Sequence, residues 1–362
     1  MSGAGEMLQM RFYFGERDRD GDGPLDAAVM ATCARHGVRA AALLRAVEGF
    51  GAKQRMRTDR MLTLSEDPPL VAVAVGESDR VEALAEEIRE IADDGLLALN
   101  QVTTPDRVRS SPRIARESAN APEKRSAPEG GGAPEDEVRV TIWGPRTGPN
   151  SPHMSAVDAF HRHGAEAAMV LLGVDGVLDG ERRRARFVAA NQGVPAMTVA
   201  VGERGRIEAA LAEVDGAASL VTAERVELSR RIGTVSLHAD PAMEPKLLIE
   251  PPSLHSTLAT RVTYVTSEIE ARGPHPCYLE LIHRLREEGA AGATALRGVW
   301  GFRGATPPHG DRVLALRRDV PILVEAIDAP EAAARWRELA LSFVGEDDVV
   351  DSQPIEKTLT LE

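Results

Sequence analysis

Three stretches of this chain share one set of spacings, so whatever it folds into must be built three times over. Gly37 and Gly49, Gly164 and Gly176, and Gly289 and Gly301 are each 12 residues apart. Pro69, Pro195 and Pro321 follow the first glycine of each pair by 32, 31 and 32 residues. Seven residues beyond each proline stands Gly76, Gly202 or Asp328. The spacing divides the 362 residues into a first repeat (1–103), a linker (104–136), a second and more divergent repeat (137–228), a connector (229–260), a third repeat (261–355) and a tail (356–362). Repeats of this size are large enough to bury cores of their own.

The elements come in the same order each time. An alternating strand opens each repeat, with Leu8, Met10, Phe12 and Phe14 in the first, Val138, Val140 and Ile142 in the second, and Val262 and Tyr264 in the third. Period-two alternation marks a half-buried strand. Apolar residues at helical spacing follow: Val29, Met30 and Cys33 match Ala156, Val157 and Phe160, and also Leu281, Ile282 and Leu285. Gly37, Gly164 and Gly289 stand where a helix ends in a left-handed cap. A second strand then runs into the second glycine. After the proline come an apolar strand, a second helix (Val81, Leu84, Ala85 and Ile88 in the first repeat) and a last strand.

That order, β-α-β-β-α-β, predicts an α+β fold of three ferredoxin-like units. Two helices would cover one face of each four-stranded sheet and leave the other bare. A monomer avoids a broad exposed apolar face. The three bare faces are therefore expected to close on one another as an intrachain pseudo-trimer, monomeric in solution.

The linker 104–136 holds Pro112, Pro122, Pro128 and Gly130-Gly131-Gly132 with almost no large apolar residues, and reads as a flexible tether. In the connector, Val235, Leu237, Leu247, Leu248 and Ile249 could form a short extra strand, interrupted by Pro241, Pro245, Pro251 and Pro252. The chain after Val350 reads as loose.

Composition excludes several classes of function. A net charge of −13 argues against nucleic acid, which demands a basic footprint. No apolar run approaches the roughly 20 residues of a membrane span, and Met1–Glu6 lacks the pattern of a signal segment, so the cytoplasm is expected. The two cysteines, Cys33 and Cys277, fall at apolar helix positions and read as small buried hydrophobes. His161 and His163 are two apart on a helix and diverge, while His153, His275 and His309 read as loop residues, so no metal site is expected. Nucleophile elbow, Walker A loop and zinc-protease helix are all missing, and no catalytic residue stands out. Glu86-Glu87 and Asp93-Asp94 read as solvated helical surface.

The run Gly289-Ala-Ala-Gly-Ala-Thr-Ala-Leu-Arg-Gly-Val-Trp-Gly301-Phe302, followed by Arg318-Asp319-Val320-Pro321-Ile322-Leu323-Val324-Glu325, closely resembles the PII-like proteins of the domain-of-unknown-function-190 family. The first repeat resembles it nearly as well through Phe12-Tyr-Phe-Gly-Glu16, Gly49-Phe-Gly51 and Leu62-Thr-Leu-Ser-Glu-Asp-Pro-Pro69. The second departs, with Gly173-Val-Asp-Gly176-Val177 in place of the Gly-Phe step. The resemblance implies a sensor of small molecules with nucleotide sites in clefts between units. It also implies mobile loops (about 50–60, 177–187 and 302–312) that contact a regulated protein or transporter.

Closely spaced glycines let a backbone approach a ligand and present N–H groups to an anion. Cations lie just beyond them: Lys53, Arg55 and Arg57; Arg182, Arg183, Arg184 and Arg186; Arg303 and Arg312. The candidate ligand-binding residues are Gly49, Phe50, Gly51, Lys53, Gly176, Arg297, Gly298, Gly301, Phe302 and Arg303. They would take a small anion, a nucleotide first among candidates, with no cofactor required. Asp175 would oppose an anion in the second repeat. The rival expectations are a protein-interaction module whose clefts are vestigial and a phosphate-processing enzyme.

Overall fold

The computed structural model describes residues 7–21, 23–58, 67–105, 136–147, 151–186, 191–214, 218–229, 231–232, 235–236, 257–271, 273–310 and 319–361. The first repeat contains β1 (Met7–Gly15), α1 (Leu25–Arg35), β2 (Ala40–Arg45), β3 (Glu48–Phe50), β4 (Pro69–Glu77), α2 (Ser78–Ile91) and β5 (Gly95–Val102). The second contains β6 (Glu137–Pro145), α3 (Pro152–Arg162), β7 (Ala167–Leu172), β8 (Asp175–Leu178), β9 (Pro195–Glu203), α4 (Arg204–Glu213) and β10 (Leu220–Arg225), with β11 (Glu227–Ser229) after it. The third contains β12 (Thr257–Ser267), α5 (Cys277–Glu287), β13 (Ala293–Arg297), β14 (Trp300–Arg303), β15 (Pro321–Asp328), α6 (Pro330–Phe343) and β16 (Val349–Leu361).

The strand order is the same in every repeat: β5-β1-β4-β2, β10-β6-β9-β7 and β16-β12-β15-β13, all neighbours antiparallel. The first helix of each repeat ends on its glycine, with φ of +62° at Gly37, +75° at Gly164 and +86° at Gly289. Behind each glycine, the next amide donates back to the helix, as Ala290 does to the Leu285 carbonyl at 2.8 Å.

The second glycine carries the chain out of its own repeat. β3 pairs with β13 of the third repeat, with Gly49 opposite Thr294. β14 pairs with β7 of the second, with Gly301 opposite Met169. β8 pairs with β2 of the first, with Gly176 opposite Ala42. The exchange is cyclic: one to three, three to two, two to one. Phe50, Phe302 and Val177, one residue past each glycine, enter the helix-side core of the repeat they reach. Each such burial contributes about 2 kcal/mol.

Strand alternation sorts the cores. Met10, Phe12 and Phe14 face the helices of the first repeat, while Val71, Val73 and Val75 face away from them. The away-facing side chains join a central cluster that also takes Met169, Leu171, Met197 and Val199 from the second repeat and Val265, Leu296 and Leu323 from the third. Away-facing side chains of all three repeats thus share one buried cluster. Cys33 and Cys277 are buried, and burial pushes the Cys33 thiol up to about 12.

Charge is buried in the same interior. Arg139 Nη2 contacts Asp351 Oδ1 at 2.5 Å, and Arg261 Nη2 contacts Glu224 Oε2 at 3.2 Å. Gln9 and Gln353 also donate to Glu224, at 3.2 and 3.3 Å, and Asn100 donates as well. Burial pushes the Glu224 carboxyl up, but Arg261, Arg11 and Arg139 outweigh it and hold it below the usual range. At Asp351 burial wins and the carboxyl is raised.

The chain beyond Val350 is not loose. β16 pairs with β12 along one edge, and its end pairs with β5, Lys357 opposite Leu99 and Leu361 opposite Gly95. Two flanking strands supply hydrogen bonds that its polar sequence does not advertise. Among the described residues, repeats one and three consequently share one continuous sheet, while β10, β6, β9 and β7 of the second form another that β14 joins. β11 pairs with β16, and Val235–Ser236 forms a two-residue ladder with Arg231–Ile232. Most of the linker and residues 237–256 of the connector lie outside the described residues.

Candidate functional site between the first and third repeats

A cavity of about 360 Å3 opens where β3 of the first repeat meets β13 of the third. Phe14, Phe50, Leu96 and Ile327 give it apolar walls, and Gly51, Ala52 and the backbone of Ala291–Ala293 border it. Volume and lining suit a small ligand with an apolar portion.

At its base the Tyr13 hydroxyl donates to Glu325 Oε2 at 3.1 Å, and Arg11 Nη1 contacts the same carboxylate at 3.1 Å. Burial raises the Tyr13 phenol, with Glu325 adding to the shift, so it stays protonated and donates. Burial also pushes Glu325 up, but Arg11, Arg261 and Arg139 prevail and keep it ionised. Glu325 occupies the position that Val73 and Val199 hold in the other repeats, five residues before the second helix begins and facing the centre.

The rim is cationic with internal counter-ions. Arg57 reaches Asp67 Oδ2 at 3.1 Å and Asp18 Oδ1 at 3.4 Å, and Lys53 reaches Asp94 Oδ2 at 3.1 Å. The Arg57 guanidinium lies over Gly15, where any β-carbon would overlap it. Arg17 and Arg55 line the mouth, are exposed, and pair through their side chains with no carboxylate among the described residues. Two such guanidinium groups can fork onto a phosphate or carboxylate.

Four of the ten sequence candidates, Gly49, Phe50, Gly51 and Lys53, meet at this junction. The others do not join them. Gly176 sits at the junction of repeats two and one. There Asp175 is fully buried, yet its charge is consumed internally: Arg182 Nη2 donates to Oδ2 at 2.7 Å, and Arg184, 3.8 Å from the same oxygen, also bridges to Asp26 at 2.8 Å.

Arg297, Gly298, Gly301, Phe302 and Arg303 sit at the junction of repeats three and two. Arg297 pairs with Glu268 at 2.5 Å, and Gly298 packs on Met169. Phe302 is completely buried against the edge of His161, 4.9 Å between ring centres, and is a core side chain inaccessible to a ligand. Arg303 is held by Asp348 at 2.9 Å and Glu270 at 3.2 Å. Arg312 lies outside the described residues.

Two readings of sequence need correction. Asp93 and Asp94 follow α2 instead of riding on it, and Asp94 lines the cavity. His153 is not in a loop: Ser151 caps α3, Pro152 starts it, and His153 is buried in its first turn with Nδ1 2.8 Å from Thr198 Oγ1. Burial lowers its pKa. Sequence reasoning also passed over Tyr13, Arg17, Asp18 and Glu325. Glu325 alone had a visible signal, a charge in an otherwise apolar strand. Among the described residues no group of His, Cys, Asp and Glu could hold a metal, and no helix is long and apolar enough to cross a membrane.

Comparison with known proteins gives a consistent result. The family model DUF190, described as "Uncharacterized ACR", matches residues 7–104, 146–228 and 259–357. A UPF0166 protein of Aquifex aeolicus (strain VF5) is 34% identical over 73 residues, which is 20% of this chain and 70% of the relative. Among solved structures, an aspartate kinase from Synechocystis aligns with 96% of this chain and 43% of its own at 9% identity and a TM-score of 0.27. An anthrone oxidase-like protein aligns with 67% of this chain and 95% of its own at 11% identity and a TM-score of 0.17. At those scores neither structure carries an argument.

Proposed function

This chain belongs to the domain-of-unknown-function-190 family, three copies in one polypeptide, and on that premise we propose that it is a PII-like regulatory sensor of a small anionic molecule. Its three copies are ferredoxin-like lobes closed into an intrachain pseudo-trimer. Supporting that architecture are the common strand order, the cyclic exchange of β3, β14 and β8, and the central cluster drawn from all three sheets.

The observation that carries the functional reading is the cavity between repeats one and three, apolar within and rimmed by Arg17, Lys53, Arg55 and Arg57. A nucleotide matches this chemistry. Its base would lie against Phe14, Phe50 and Leu96, a donor on it would reach Glu325, and its phosphates would meet Arg17 and Arg55 at the mouth. The Tyr13–Glu325 pair is a buried phenol held protonated beside an arginine-paired carboxylate, and we read the cavity as one of binding and not of turnover. The corner loop after Gly51 forms one wall, so occupancy would be felt by whatever protein, a transporter among the candidates, docks on that loop. The setting we propose is the cytoplasm.

Titration calorimetry with ATP, ADP, AMP and cyclic AMP at up to millimolar concentration tests the reading. Binding of one of them, weakened about tenfold by Arg55→Glu, is expected for a lost charge-assisted hydrogen bond. Silence from all four would remove the nucleotide version.

A further inference from the structure

The three junctions are built alike but filled differently. Two residues past each corner glycine stand Gly51, Leu178 and Arg303. Strand alternation turns the residue between (Phe50, Val177, Phe302) into the neighbour's helix-side core. The following residue therefore faces the opposite side, toward the centre. At Gly51 that space is open: a β-carbon there would meet nothing within 4 Å, and the residue lines the cavity. Leu178 instead buries its side chain in the central cluster with Val73 and Val75 of the repeat it joins.

Arg303 does the same with charge. Its side chain is only 12% exposed and lies on Asp348 and Glu270. Those two residues have counterparts at the open junction. Val265 pairs with Val349 as Tyr13 pairs with Leu96, which makes Asp348 the counterpart of Gly95. Glu270 lies three residues past Ser267 as Asp18 lies three past Gly15, and each helix begins ten residues past that same point. Gly95 and Asp18 both line the cavity. The guanidinium of Arg303 thus fills, in the third repeat, the space beside Asp348 that in the first repeat is cavity beside Gly95, where Asp18 is held from its other side by Arg57.

We infer that the chain has one ligand site and not three: Leu178 and Arg303 are built-in occupants of the two other junctions, and Gly51 is what keeps the third open. This rests on the reading of the cavity as a ligand site, but it concerns which junctions are open and does not depend on the ligand being a nucleotide. The fused chain would then be a one-to-one receptor whose remaining two junctions serve as fixed scaffold.

An anionic aromatic dye, 8-anilinonaphthalene-1-sulfonate, suits an apolar cavity with a cationic rim and serves as the probe. Fluorescence titration of the full chain is expected to give one saturable site. Gly51→Arg should weaken it at least tenfold while leaving the circular dichroism spectrum unchanged, because its β-carbon enters open space. A folded Arg303→Gly should gain a second site; if it does not fold, Gly51→Arg decides alone. No saturable dye site in the wild type, two or three equal sites, undiminished binding by Gly51→Arg, or a folded Arg303→Gly with a single site would each overturn the inference. Competition with ATP separates the two ideas: dye bound at one site that ATP fails to displace removes the nucleotide reading and leaves the single open junction standing.

Discussion

Gly49 lies so close to Ala293 of the third repeat that a β-carbon built on it would stand 2.7 Å from the alanine carbonyl oxygen and 3.1 Å from Cγ of Pro69. Gly176 is caught in the same way between Ala41 and Pro195, and Gly301 between Ala168 and Pro321. The glycine and the proline that mark each repeat are thus the two sides of one contact. The glycine admits a neighbour's strand, and the proline closes over it.

Substitution at these positions should therefore be costly. Gly49→Ala, Gly176→Ala and Gly301→Ala are each expected to destabilise by about 1–3 kcal/mol through overpacking against backbone, whereas Gly51→Ala, facing open space, should be nearly neutral. Urea denaturation checks this, and equal stability of Gly49→Ala and Gly51→Ala would contradict it.

Phe302 is expected to matter for stability and not for ligand affinity. Phe302→Ala removes a completely buried ring from the core of the second repeat and should cost about 3–5 kcal/mol. Dye or nucleotide affinity at the first junction should be unchanged under conditions where the variant is folded.

The buried charges predict an acid limit. Glu224 and Glu325 are held below the unfolded value of 4.5, so the stability they contribute is present above that pH and is lost as pH falls through their folded values. Glu224→Gln would remove the carboxylate that pairs directly with Arg261 and should cost about 3 kcal/mol at pH 7. Glu86→Gln, which breaks an exposed pair with Arg89, should change stability by less than about 0.5 kcal/mol.

His153 predicts a second, milder pH effect. Its folded pKa is lowered from 6.5, so both states are neutral above that value and the protein has its full stability there. Below it the unfolded chain takes up the proton first, and stability falls with pH until the folded pKa is reached. Wild type should lose stability between about pH 7 and pH 5 in a way that His153→Gln does not, as read by denaturation midpoints across that range.

Much of the architecture was legible in the residues themselves. Period-two alternation named the helix-facing strand residues Met10, Phe12 and Phe14, the glycines at 37, 164 and 289 named the helix ends, and the repeated order named three equivalent units. These are local signals, set by side-chain size, backbone freedom and spacing, and a sequence displays them directly.

Other features depended on what the folded chain brings together. Nothing near Gly49 says that its strand will pair with Thr294, some 245 residues away, because a backbone ladder reads no side chain. The polar run after Val350 becomes a strand only because β12 and β5 lie on either side to receive its hydrogen bonds. The cavity between the first and third repeats had the same dependence. Gly51, Leu178 and Arg303 stand in plain view in the sequence, but a glycine there is empty space only once Phe14, Leu96 and Ile327 wall it in. Sequence set the three corner glycines and the residues after them, and tertiary packing decided that Gly51 borders a cavity while Leu178 and Arg303 pack against their neighbours.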